Sequence, residues 1–118
     1  MTDQLISDQA VVALSTCPDA ACAARIATAL VEERLVTCVN RVGGVQSTYF
    51  WDGRLQDDAE ILLIMKTTAA RLAQIEVRLE ALHPYELPEL IAVPVVGGNA
   101  RYLDWVRAGV TRSREQPV

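Results

Sequence analysis

Asp52-Gly53 constrains this chain more than any other stretch, because it joins two long strand-like runs. An Asp-Gly pair between such runs predicts a two-residue hairpin turn of type I′, in which both turn residues take positive φ. The runs extend from Val36 to Trp51 and from Arg54 to Thr67, with Gly43-Gly44 marking a bulge or bend in the first. Unbroken, the first run would span ~50 Å at ~3.3 Å per residue. The earlier apolar strand, Ala10 to Ser15, covers less than half of that length. The hairpin must therefore overhang the rest of the subunit. Its overhanging end carries Tyr49, Phe50 and Trp51, which a lone subunit would not expose together. Pairing or packing against another copy is the expectation.

The other elements follow from periodicity. Thr16-Cys17-Pro18-Asp19 is a turn, with Asp19 as N-cap. From Ala20 to Leu35, the residues Ala23, Ile26, Ala27 and Leu30 form one helical stripe. The inner part of the second hairpin strand, Ile61 to Met65, is apolar without alternation, so both its faces should be covered. Thr68 is placed to cap a helix with Leu72, Ile75, Leu79 and Leu82 along one face. His83 ends that helix, because a residue before proline is pushed out of the α region. Leu90 to Val96 is a β-branched strand whose Pro94 argues for a sheet edge or bulge. Asn99 caps a short last helix from Ala100 to Ala108, and residues 1–9 and 111–118 read as flexible tails of a single domain. The element order is that of a split βαβ, ferredoxin-like α+β fold with an extra C-terminal helix. In that topology the end of strand one, the hairpin tip and the start of the last strand meet at one end of the sheet.

Composition narrows the function. The net charge is -4, which disfavours a nucleic-acid backbone as partner. Three cysteines, Cys17, Cys22 and Cys38, lack C-x-x-C spacing and suit free thiols in a reducing cytoplasm. The first residues lack the basic and apolar regions of a signal peptide, and no run approaches the ~20 apolar residues of a membrane span.

Several motifs, in order, resemble one known family. They are Thr16-Cys17-Pro18-Asp19, Cys38-Val39-Asn40, Ser47 to Gly53, Leu63 to Thr67, His83-Pro84-Tyr85-Glu86-Leu87-Pro88-Glu89 and Tyr102-Leu103-Asp104-Trp105. Together they look like the CutA divalent-cation tolerance proteins over about Val11 to Val110. The resemblance implies a ferredoxin-like subunit, a homotrimer, a cytoplasmic bacterial location, a link to copper and other divalent metals, and no established catalysis. Some members of that family are assigned a copper site built from a first-strand cysteine and two adjacent histidines. The corresponding positions here are Ser15, Leu82 and His83, so only His83 carries over.

The candidate metal ligands are His83, Cys17 and Glu86, which the topology brings to the same end of the sheet. Imidazole accepts copper in either oxidation state and thiolate favours Cu(I). The alternative for His83 is a helix-end residue suited to the carbonyl end of the dipole, and for Cys17 a buried thiol. Glu60, Lys66, Glu86 and Glu89 would line a polar cleft between subunits, as ligand-binding groups or as wet interface ion pairs. Tyr49, Trp51, Tyr85 and Trp105 would form an aromatic pocket or pack at the interface. With a single histidine, no Ser/His/Asp or Cys/His constellation assembles, so the chain is not read as an enzyme. The alternative function is a PII-like trimeric signalling protein that takes a small ligand or nucleotide between subunits.

Overall fold

The hairpin forms as its turn residues require, with φ of 55° at Asp52 and 73° at Gly53. The structure is a computed structural model and describes residues 7–111. Its elements are β1 (Ala10–Cys17), α1 (Ala20–Glu32), β2 (Cys38–Trp51), β3 (Arg54–Thr68), a 3-10 turn (Ala69–Arg71), α2 (Leu72–Leu82), β4 (Ile91–Pro94) and α3 (Ala100–Thr111). Most of the two expected tails lies outside the described residues. Ser7 and Gln9 do not read as a loose tail, because their carbonyls accept the N–H groups of Ala70 and Ala69.

The sheet order is β2-β3-β1-β4, with antiparallel neighbours throughout and β1 and β3 central. This is the expected ferredoxin-like arrangement. Pro94 lies on the edge strand β4, where a missing backbone donor is tolerated. The β2–β3 register shifts between Val42 and Val45, the bulge expected at Gly43-Gly44.

Several boundaries differ from the sequence reading, each for a local reason. Strand β1 runs on to Cys17, because Thr16 and Cys17 pair with Leu62 and Ile61. Only Pro18 and Asp19 are left for the turn, and the Asp19 carboxylate caps α1 by accepting the Cys22 N–H at 2.8 Å. Helix α1 stops at Glu32, short of Leu35. Arg34 takes a φ of 58°, and the Leu35 N–H closes back on the Leu30 carbonyl, a Schellman-type stop. Thr68 makes no side-chain cap, because a 3-10 turn intervenes before α2. Strand β4 is only Ile91–Pro94, since β1 offers it just four partners. Helix α3 continues past Ala108 to Thr111, with the Asn99 side chain accepting the Tyr102 N–H as expected.

Helices α1 and α2 cover one face of the sheet. Ile26, Leu30, Ile75 and Leu79 pack there against Ala13, Cys17, Leu63 and Met65. Alternation turns Val12, Leu14, Leu62 and Ile64 to the opposite face, where they are half-buried. Val42, Ile91 and Val93 pair with three of those residues and are exposed. The sheet thus has one covered apolar face and one open apolar face. Beyond Val45–Glu60 the hairpin pairs only with itself, ending at Trp51–Arg54. Phe50 and Leu55 are 75% and 66% exposed on this overhang. Among the described residues, no helix is long and apolar enough to cross a membrane.

Candidate functional site

Where α2 ends, the chain swings under the hairpin and encloses a cavity. Pro84 sets this up by holding His83 in an extended conformation, φ -86° and ψ 139°, while the His83 N–H still closes the helix on the Leu79 carbonyl. The imidazole is thereby buried, with 7% of its surface exposed. Its Nδ1 accepts the Tyr85 N–H at 3.1 Å, and its Nε2 lies 2.7 Å from the Thr16 carbonyl. Those partners assign a neutral ring with the proton on Nε2, donated to Thr16. The His83 and Tyr85 rings stack at a tilt, with centroids 4.5 Å apart.

Tyr85 in turn reaches β3. Its hydroxyl donates to Glu60 Oε2 at 2.7 Å, and Glu60 is itself buried, with 8% of its surface exposed. Burial, then the hydrogen bond and charge of Glu60, hold the Tyr85 phenol well above its ordinary range, so it stays a donor. On the hairpin, the Tyr49 hydroxyl donates to Asp58 at 2.6 Å, which likewise raises its pKa.

The cavity measures about 540 Å³. The hairpin supplies Tyr49, Trp51 and Glu60, and the segment after α2 supplies Tyr85, Glu86 and Glu89. Six of the residues singled out in the sequence therefore share one site. Thr16, Ser47, Thr48 and Leu87 also line it and were not anticipated. Ser47 had a signal, since even separation puts it on the strand face of Tyr49 and Trp51.

Two residues expected in the cleft between subunits, Lys66 and Trp105, do not line this cavity of the single subunit. Lys66 is six residues along β3 from Glu60, about 20 Å of strand, and its ammonium bonds Asn40 on the paired strand. Trp105 stays on α3, where its ring stacks with Tyr102 at 5.4 Å.

The metal-ligand candidates occupy three different settings. His83 lies behind the cavity with both ring nitrogens engaged, and Glu86 lies on the rim. Cys17 points to the opposite, helix-facing side of β1 and is fully buried. Burial above all, then the neighbouring Cys22, Asp19 and Glu60, pushes its thiol up to about 12, so it does not offer a thiolate near neutrality. Ser15 shares that inner face, and its buried hydroxyl has no hydrogen-bond partner among the described residues. No group of three or more His, Cys, Asp or Glu is placed to hold a metal ion among the described residues. Cys17, His83 and Glu86 therefore do not fit a resident ion within one chain.

The family described as CutA1 divalent ion tolerance protein matches residues 11–109. The divalent-cation tolerance protein CutA of Thermus thermophilus is 49% identical over 96 residues, spanning 81% of this chain and 93% of that protein. Its counterpart in Pectobacterium atrosepticum is 40% identical over 110 residues, spanning 93% and 99%. The solved structure of the Thermus thermophilus divalent cation tolerance protein superposes with a TM-score of 0.84 at 46% identity, covering 86% of this chain and 98% of that one.

Proposed function

The chain belongs to the CutA1 family of divalent ion tolerance proteins, and from that premise we propose that it serves divalent-cation tolerance as a cytoplasmic homotrimer without catalysis. The observation that carries the assembly is the sheet with one face covered and the other open. Apolar Val42, Ile91 and Val93 are exposed on the open face, and Phe50 and Leu55 on the overhang. A face of this kind is stabilised by burial against another copy, at ~25 cal/mol per Å² removed from water. The free cysteines suit a reducing compartment. Sedimentation equilibrium tests the assembly, with a mass of three chains expected. A mass of one 12.9 kDa chain at micromolar concentration defeats it.

Copper, or another divalent metal, is the cation proposed, with His83 and Glu86 as donors drawn from more than one subunit. Cys17 is set aside because its thiol stays protonated. His83 offers a lone pair only when the Tyr85 N–H leaves Nδ1, so the expected affinity is weak. Calorimetric titration of Cu(II) into the wild type and His83→Ala tests this. Equal binding by both removes His83 from the proposal.

A PII-like nucleotide site is the weaker reading. The cavity lining contains Glu60, Glu86 and Glu89 and no lysine or arginine, which repels phosphate.

A further inference from the structure

Glu60 poses a charge problem within the subunit. Glu60 as a residue is more than nine-tenths buried at the cavity wall, yet the hydrogen-bond partner of its carboxylate is a neutral phenol. The ion pairs among the described residues are Arg78–Glu33 and Arg107–Asp104, and neither involves it. Lys66, the basic residue on the same strand face, is held by Asn40 well away from it. A buried carboxylate is costly without a compensating charge or several donors.

The surroundings say what kind of charge fits. Glu86 and Glu89 share the lining and no basic side chain does, so the field there favours a cation. Three aromatic side chains, Tyr49, Trp51 and Tyr85, contribute to the same walls. Aromatic faces attract a cation within ~6 Å of the ring centroid, most of all one carrying a poorly hydrated organic body. A bare divalent ion wants three or more oxygen, nitrogen or sulfur donors at short range, and the described residues provide no such group. The cavity volume, about 540 Å³, is within the ordinary range for small-molecule sites.

We propose that this cavity binds a small organic cation of the alkylammonium class. Glu60 is its counter-charge, and the Tyr49, Trp51 and Tyr85 rings are its walls. His83 acts as a positioning residue, since its Nδ1 fixes the Tyr85 backbone and its ring packs on the Tyr85 ring. The residues lining it come from one chain, but Tyr49 and Trp51 also lie on the overhang proposed to meet another copy, and Glu86 is also a proposed copper donor. The test is therefore run on the assembled protein free of metal.

The test uses n-butylammonium, with n-butanol as a neutral probe of nearly the same shape, titrated into the full chain and followed by backbone amide NMR. The expected result is saturable n-butylammonium shifts at Thr16, Glu60 and Tyr85, with little response to n-butanol. Glu60→Gln keeps an acceptor for the Tyr85 hydroxyl but removes the charge, and should weaken n-butylammonium binding about tenfold or more. Absence of n-butylammonium shifts, equal shifts with n-butanol, or unchanged affinity in Glu60→Gln would each overturn the proposal. If Glu60→Gln does not fold, the contrast between the two probes on the wild type decides the matter alone.

Discussion

His83 holds Tyr85 in place through both backbone and ring: Nδ1 accepts the Tyr85 N–H at 3.1 Å, and the two rings lie 4.5 Å apart. The same imidazole ties this segment to β1 through the Thr16 carbonyl. One buried side chain thus couples the end of α2, the end of β1 and the aromatic wall of the cavity. His83→Ala is expected to destabilise the subunit by about 1–3 kcal/mol, because one buried and one part-buried hydrogen bond lose their partner. It should also release the Tyr85 ring, seen as sharper, averaged ring resonances. A urea midpoint and Tyr85 signals both unchanged from wild type would mean that His83 does not position Tyr85.

A second prediction concerns the seat of α3. A Cβ added at Gly109 would lie 2.6 Å from Thr37 Oγ1 and 2.7 Å from Thr37 Cγ2. The Thr37 hydroxyl also donates to the Val106 carbonyl, so the threonine cannot turn away without losing that bond. Gly109→Ala should cost about 1–3 kcal/mol from overpacking, against a gain of up to about 1 kcal/mol in helix propensity. Adding Thr37→Ala removes the two nearest atoms and should restore part of the loss. Denaturant melts of the two single variants and the double variant measure that coupling. Strict additivity would show that the two positions do not meet.

Alkaline pH supplies a third. The Cys17 thiol is raised to about 12, chiefly by burial, and Tyr85 is raised by burial and by Glu60. For each, folding favours the protonated form. Their contribution to stability is complete below the unfolded-state values, near 9 for the thiol and 10 for the phenol. It is lost as pH rises through the folded-state values, because the unfolded chain ionises first. For Cys17 the window runs from about pH 9 to about 12, with a limiting slope of about 1.4 kcal/mol per pH unit. Cys17→Ala should flatten the decline in urea midpoints measured from pH 8 to 11. An identical slope in the variant would remove Cys17 as its cause.

The hairpin and the strand order were legible because their signals are local. Asp52-Gly53 permits one turn type, Gly43-Gly44 marks the bulge, and the two helical stripes identify the covered face. The cavity was half legible. Tyr49 and Trp51 share a strand face by simple alternation, and the register set by the Asp52-Gly53 turn puts Glu60 on the same face of the hairpin. Pro84 announces the swing that brings Tyr85, Glu86 and Glu89 beneath them. What spacing could not supply was position along the strand. Glu60 and Lys66 have the same parity, yet six residues of strand separate them, so only one reaches the cavity. Cys17 illustrates the converse. Extending β1 by two residues past Ser15 turned that thiol into the core and left Thr16 on the cavity side. Trp105 was not placed by spacing, because a helical aromatic carries no cue to which neighbour it meets; within the subunit it stacks on Tyr102 and stays half-exposed.

The open sheet face gives the last prediction. Val93 lies on edge strand β4, pairs with Val12 and is 48% exposed in the single subunit. A lysine there can keep its ammonium in water while its stem covers apolar surface, so Val93→Lys should leave the subunit folded. In a homotrimer closed over this face the same ammonium would be buried without a partner, which is costly. The expected outcome is a circular dichroism spectrum like that of the wild type, together with a sedimentation mass shifted toward one chain. Tip residues offer the contrast. Trp51→Ala removes an aromatic from the overhang, and should weaken association without abolishing it if the sheet face supplies most of the buried area. Should Val93→Lys sediment as the wild type does while Trp51→Ala dissociates, the hairpin ends, and not the open faces, hold the subunits together.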